Sequence, residues 1–199
     1  MKNHFKTSNK KRKIIGNYNS SAHFYDRRYR LIQEKKYDIT LDKYLLNEKK
    51  ILDVGCGTGL LYEFILKSRF HKKDLKFNYV ALDISQKMLM EFKKKLFKLK
   101  DEAKISLILS DIENLPFREN VFNQIFSFTS FQNLPDCYEG IQEILRVGLR
   151  NADLKFSILK KKLNLNSLIN LLKPNFRNLK IDDEEFLEDI IIQGKISKL

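Results

Sequence analysis

Residues 51–61 read Ile-Leu-Asp-Val-Gly-Cys-Gly-Thr-Gly-Leu-Leu. The chain holds only 7 glycines in 199 residues, yet Gly55, Gly57 and Gly59 fall within one five-residue window. Glycine weakens helices and strands because it loses the most conformational freedom on ordering. Three together mark a backbone that turns tightly and is approached closely. The apolar run Ile51–Val54 before them reads as a buried strand. Leu60–Lys67 after them, with Leu60, Leu61, Phe64 and Ile65 on one face, reads as a helix.

The alternation continues along the chain. Tyr79–Leu82 reads as a second strand, and Ser85 is placed to cap a helix in which Met88, Leu89, Phe92, Leu96 and Leu99 share one side. Ile105–Leu109 and Val121–Phe128 read as the third and fourth strands. Pro135 opens a helix with Tyr138, Ile141, Ile144 and Leu145 inward. Leu154–Leu159 is a fifth strand, Leu165–Leu172 a short helix, and Phe176–Ile181 with Ile190–Ile196 a closing pair of strands. Strands alternating with helices predict an α/β domain whose mostly parallel sheet is covered on both faces. Ligands of such sheets bind beyond the carboxyl ends of the strands.

Ahead of this core, residues 1–17 predict a flexible basic arm: Lys2, Lys6, Lys10, Lys11, Arg12 and Lys13 occur with no acid before Asp26. From residue 18 the pattern turns helical, with Phe24, Leu31, Tyr37, Leu41 and Leu45 as candidate inward positions. The net charge is +13. Such an arm can follow a phosphate backbone, which admits RNA as a partner; a solvated tail is the plainer reading. No apolar run approaches the ~20 residues that span a bilayer, and the N-terminus lacks the apolar core of a secretory signal. Cys56 and Cys137 make neither a disulfide framework nor a metal set, so a reducing, cytoplasmic setting without a metal is expected.

The glycine loop fits neither common phosphate cradle. A dinucleotide fingerprint, G-x-G-x-x-G/A, fails in both registers, because Leu60 or Tyr62 stands where the third small residue belongs; a Walker loop needs a Gly-Lys pair that is not there. The stretch Asp53-Val54-Gly55-Cys56-Gly57-Thr58-Gly59 resembles the first motif, [D/E]-x-G-x-G-x-G, of class I S-adenosylmethionine-dependent methyltransferases. Val-Ala-Leu-Asp-Ile-Ser supplies Asp83 where that family has an acid ending strand two. Leu-Ile-Leu-Ser-Asp-Ile supplies Asp111 after strand three, and the Leu-Pro-Phe turn that follows is similar to the ubiquinone and menaquinone methyltransferase group. Asn123 stands at the usual Asp of strand four, and Glu143–Val147 resembles the helix after it. The resemblance covers roughly residues 45–160.

The resemblance implies a Rossmann-like fold: a seven-stranded, mostly parallel sheet with an antiparallel last strand, as one domain over 18–199, with a helical lid at 18–47 and the core at 48–199. It implies S-adenosyl-L-methionine as cofactor. Gly55, Cys56, Gly57 and Gly59 would pass close to the methionine portion and ribose, and Asp53 would face the ammonium. Asp83 would accept both ribose hydroxyls, a bidentate task that suits a carboxylate. Ile84 and Met88 would flank the adenine, Asp111 and Ile112 would meet its edge, and Phe128 or Ser127 would close the pocket.

Methyl transfer from a sulfonium relies largely on positioning, and a base is needed only where the nucleophile must lose a proton. The sequence therefore fixes no catalytic residue; His23 and Tyr25, in the segment expected to form the lid, are the candidates, and Gln132 and Asn133 stand where an acceptor would approach. There is no Pro-Pro motif after strand four and no Pro-Cys nucleophile. Glu143–Val147 runs into Gly148-Leu149-Arg150 where the family has a Lys-Pro-Gly-Gly turn. With little chain after strand five, an open face is expected, which suits a macromolecule such as RNA. A quinone-like small molecule, a non-catalytic cofactor-binding scaffold and a small activator protein as partner are the other readings.

Overall fold

The computed structural model describes residues 2–41, 50–67, 77–99, 105–162 and 164–198. Seven strands form one sheet: β1 (Lys50–Val54), β2 (Asn78–Asp83), β3 (Ile105–Leu109), β4 (Phe122–Phe128), β5 (Gly148–Leu159), β6 (Phe176–Asp182) and β7 (Asp189–Ile196), in the order β3-β2-β1-β4-β5-β7-β6. β7 runs antiparallel to both β5 and β6, and the other pairings are parallel. This is the seven-stranded Rossmann-like arrangement with an antiparallel last strand.

The two faces of the sheet follow from side-chain alternation along each strand. Leu52 and Val54 point into a core shared with α4 (Cys137–Val147) and α5 (Leu165–Leu172). Ile51, Tyr79 and Phe126 point into the opposite core, closed by α2 (Leu60–Lys67), α3 (Gln86–Leu99) and the C-terminal end of α1 (Lys2–Leu41). Strands buried on both faces are why these segments read as continuous apolar runs.

The largest departure from the sequence reading is α1. Within the flexible arm expected over 1–17, residues 2–17 are helical and continuous with 18–41. Its contact face repeats at helical spacing through Lys11, Tyr18, Ala22, Tyr25, Gln33 and Lys36. Most of these residues are polar, so an apolar pattern does not reveal them. Phe24 and Leu31, expected inward, are exposed, whereas Tyr37 and Leu41 are buried as expected. Leu45 and the 47/48 boundary lie outside the described residues.

Two smaller differences lie around α4. The helix opens at Cys137, because Asp136 is the N-cap and accepts from the Tyr138 N–H at 2.8 Å. Tyr138, expected inward, is half exposed, while Ile141, Ile144 and Leu145 are buried. β5 begins at Gly148, six residues before the expected Leu154, because Gly148 pairs with Phe122 as soon as α4 ends. The helix runs straight into the strand, and that explains the missing Pro-Gly turn.

Candidate active site

β1 and β2 end side by side, Val54 opposite Leu82, and the glycine loop hooks over that edge. The Gly55 and Cys56 N–H groups both donate to the Leu82 carbonyl, at 2.8 and 2.9 Å. Gly55, Gly57 and Gly59 have φ of 72°, 55° and 77°, the left-handed region that glycine adopts freely. They serve different ends. A Cβ at Gly59 would lie 2.2 Å from the Phe92 ring, so this glycine lets α3 pack against the loop. A Cβ at Gly57 would meet only the Tyr25 ring, at 4.0 Å, so this glycine keeps the cavity side of the loop open.

The Asp83 carboxylate organises the same edge. One oxygen accepts from the Gly57 N–H at 2.9 Å and the other from the Ser85 N–H at 2.8 Å. Burial pushes its pKa up to about 6 despite those two donors. Ser85 caps α3 through the Met88 N–H.

A cavity opens beside this carboxylate. Gly55, Gly57, Asp83, Ile84, Met88 and Ile112 line it, with Asp111 and Phe128. Lys11, Ile14, Tyr18 and Tyr25 of α1 close it from above, and Thr129, Ser130 and Asn133 form the wall beyond β4. Lys11 pairs with Asp111 at 2.5 Å and with Glu113. The Tyr18 hydroxyl accepts from the Asn133 amide at 2.7 Å, and Asn19 accepts from the Ser85 hydroxyl at 2.8 Å.

A second cavity adjoins the first through Tyr25, Gly55, Gly57 and Phe128. It holds Asp53 and Cys56 from the loop side and Gln33 and Tyr37 from α1. Asp53 is buried and accepts from the Tyr79 hydroxyl at 2.8 Å; burial outweighs that bond and lifts its pKa to about 7. Burial likewise pushes the Cys56 thiol up, so it stays protonated. The Gln33 carbonyl oxygen is buried and meets no donor among the described residues. A buried acceptor without a donor is costly and points to a group that is bound there.

Of the residues singled out from sequence for the site, all but Gly59, Ser127, Gln132 and His23 line one cavity or the other. His23 is exposed on the outer side of α1, against the Phe24 ring. Tyr25 lines both cavities, and burial raises its phenol so that it remains a donor at neutral pH. Sequence reasoning missed Lys11, Ile14, Tyr18, Gln33 and Thr129. For the four in α1 the signal was a 3.6-residue repeat of polar and aromatic side chains; Thr129, in the turn after β4, has no such pattern.

Thr129 merits separate description. It has φ of 57°, unusual for a β-branched residue. Its N–H donates to the Ser157 carbonyl, and its hydroxyl lies 2.6 Å from the Lys36 ammonium and 2.9 Å from the Asp189 carboxylate. Lys36 and Asp189 are themselves 2.8 Å apart, both almost wholly buried. This pair ties the C-terminal half of α1 to β7.

The family described as "Methyltransferase domain" matches residues 52–154, the segment from the middle of β1 into β5. The chain belongs to that family. It is an S-adenosylmethionine-dependent methyltransferase. The chain is 28% identical over 203 residues to malonyl-[acyl-carrier protein] O-methyltransferase 1 of Ilyobacter polytropus, with 89% of this chain and 72% of that protein covered. It is 31% identical to a demethylmenaquinone methyltransferase of Lactobacillus johnsonii, covering 68% of this chain and 57% of that protein, so it spans little more than half of this second relative. The solved magnesium protoporphyrin IX methyltransferase of Synechocystis PCC 6803, with bound S-adenosylmethionine, shares the fold at a TM-score of 0.75 and 16% identity, over 94% of this chain and 97% of that one. Among the described residues no cluster of His, Cys, Asp and Glu is arranged to hold a metal, and no helix is long and apolar enough to cross a membrane.

Proposed function

We propose that this methyltransferase acts on a small acceptor that enters the roofed cavity between α1 and the end of β4. The observation that carries the reading is the roof itself. Lys11, Ile14, Tyr18 and Tyr25 close over the pocket, where an open face and a macromolecular acceptor such as RNA were the expectation. The relatives named above act on malonyl-[acyl-carrier protein] and demethylmenaquinone, which favours the same class.

The residues present suit the cofactor. The left-handed glycines leave the loop side of the cavity free of side chains, and Asp83 keeps lone pairs for two ribose hydroxyls beyond its loop contacts. Asp53 and the Gln33 carbonyl converge on the second cavity, where two acceptors suit an ammonium group. Ile84, Met88 and Ile112 give an apolar slot beside Asp111, which suits a purine. S-adenosylmethionine bound there supplies a methyl group on a sulfonium, a good leaving group. Tyr25 and Phe128 lie where the two cavities join, so their rings flank the site of a cation.

On the acceptor side the wall is made of hydroxyls, amides and apolar groups: Phe128, Thr129, Ser130, Asn133 and Leu134. Such groups orient a nucleophile and exclude water. Catalysis by this wall is positional, and a nucleophile that is already anionic, such as a carboxylate or an enolate, suits it best.

The test is incubation of the protein with methyl-labelled S-adenosylmethionine and a cell extract separated into small-molecule, protein and RNA fractions. Label is expected in small molecules, or in small molecules carried on a protein. Label confined to RNA would overturn the reading.

A further inference from the structure

α1 and α3 lie side by side in one layer, joined where the Lys95 ammonium meets Asp26 at 2.7 Å. Their inner faces serve the core and the cavity. Their outer faces have a different composition. α1 exposes Phe24 and Leu31 outward, among the exposed cations Lys13, Arg27 and Arg28. α3 exposes Met90 and Phe97 outward, among Lys87, Lys93 and Lys98. Phe97 is 88% exposed and Leu31 75%, so neither belongs to any core. The Arg27 guanidinium sits over the Phe24 ring, 5.1 Å from its centroid.

The acids of these two helices do not offset that charge. Asp26, Glu34 and Glu91 are held in ion pairs with Arg30, Lys95 or Lys94, which leaves Asp38 as the one exposed acid among their described residues. Large apolar side chains standing in water between cations mark an interaction surface. We propose that the outer face of the α1–α3 pair docks on an anionic lipid bilayer. A bilayer interface accepts both components: cations sit at the headgroups, and aromatic and aliphatic side chains reach the acyl boundary. Phosphate backbones would satisfy the cations alone and give Leu31, Met90 and Phe97 nothing to bury against. With no helix apolar enough to span, the association is at the surface and reversible. α1 roofs the cavity with its other side, so docking brings the cavity within one helix diameter, about 10 Å, of the membrane. The proposal rests on the outer surface and stands apart from the identity of the acceptor.

The experiment is co-sedimentation of the full chain with vesicles of phosphatidylcholine alone, or of phosphatidylcholine mixed with phosphatidylglycerol. Binding is expected to the mixed vesicles only, and to weaken steeply with added salt. The double variant Leu31→Ser/Phe97→Ser is expected to bind about tenfold more weakly, and Arg27→Glu/Arg28→Glu by at least as much. All four positions lie outside both cavities, so unchanged thermal unfolding and unchanged S-adenosylhomocysteine affinity show that the variants are folded. Failure to bind mixed vesicles at low salt overturns the proposal. So does equal binding to both vesicle types, or Leu31→Ser/Phe97→Ser binding like the parent. A single-stranded RNA that binds more tightly than the mixed vesicles overturns it in favour of nucleic acid.

Discussion

The Lys36–Asp189 pair ties α1 to β7, and both its partners are buried. Both side chains are 2% exposed and their charged atoms are 2.8 Å apart. Removing one partner of a buried pair strands the other, at a cost of about 3–5 kcal/mol. Lys36→Met leaves Asp189 with the hydroxyls of Thr129 at 2.9 Å and Ser157 at 2.7 Å. Those donors still solvate the carboxylate, so the expected loss is near the lower end, about 3 kcal/mol. Asp189→Leu leaves an ammonium whose remaining contact is the Thr129 hydroxyl, and about 4–5 kcal/mol is expected. The double variant Lys36→Met/Asp189→Leu strands neither charge and should lose only about 0–2 kcal/mol, because an apolar pair of similar volume often replaces a buried ion pair at little cost. The coupling energy is therefore several kcal/mol. For a chain of this length each kcal/mol moves the midpoint by about 2–4 °C, so Lys36→Met should lower Tm by about 6–12 °C. Urea and thermal unfolding followed by circular dichroism measure all four proteins. Single variants each within about 1 kcal/mol of the parent, or a double variant at the sum of the singles, would refute the claim that this pair holds α1.

Two further outcomes follow from the site. Burial raises Asp83 to about 6 and Asp53 to about 7. Protonated carboxylates bind hydroxyl and ammonium donors poorly, so S-adenosylhomocysteine affinity should fall by up to about tenfold per pH unit between about 7 and about 6, where Asp53 protonates, and by up to about a hundredfold per unit below about 6, where Asp83 protonates as well; titration calorimetry from pH ~5 to ~8 reads this directly. Asp83→Asn should flatten much of that profile, and a parent profile that is already flat would contradict the assignment. In the ligand-free protein the sign is opposite: the folded state keeps protons that the unfolded chain has released, so stability should decline as pH rises from about 4 through about 7. The glycines separate packing from binding. Gly59→Ala places its methyl into Phe92, with the strain of a left-handed Ala added, and about 2–4 kcal/mol of stability should be lost. Gly57→Ala carries the strain of about 1–2 kcal/mol without the clash, so cofactor affinity should fall well beyond what its modest destabilisation explains. Equal effects of the two substitutions on stability would show that the loop positions are not distinguished in this way.

What was legible in the sequence was whatever depends on period and on glycine. Ile51–Val54 and Val121–Phe128 show as apolar runs because both faces of their strands are buried. Gly55 to Gly59 show because no other residue tolerates those dihedrals at so little cost. Asp83 and Asp111 show because strand ends are easy to place once the runs are found. α1 was not read as a helix before residue 18, and its contact face was not read beyond it, for the converse reason. It packs through Lys11, Tyr18, Asn19, Asp26 and Arg30, and polar side chains at helical spacing look like any solvated face. Their partners, Asp111, Asn133, Ser85, Thr58 and Glu63, come from five separate segments, so pairing them needs the tertiary structure. Lys36–Asp189 spans most of the chain and has no local signature at all.

The polar inner face of α1 follows from what it covers. A helix roofing a site for a charged, hydrated ligand cannot present a wide apolar stripe, since that stripe would either collapse into the cavity or stand exposed whenever the roof lifts. Ion pairs and hydrogen bonds avoid both outcomes. Lys11, Tyr18 and Asn19 can trade their protein partners for water, and lifting this part of α1 would uncover Ala22 as the one buried apolar residue before Tyr37 among the side chains described. From Lys36 onward the face changes: the buried ion pair, Tyr37 and Leu41 fix the helix to the core. The chemistry of α1 thus divides it into an anchored C-terminal end and an exchangeable N-terminal span. The exchangeable part is the part that lies over the larger cavity, where a cofactor must enter and leave at every turnover.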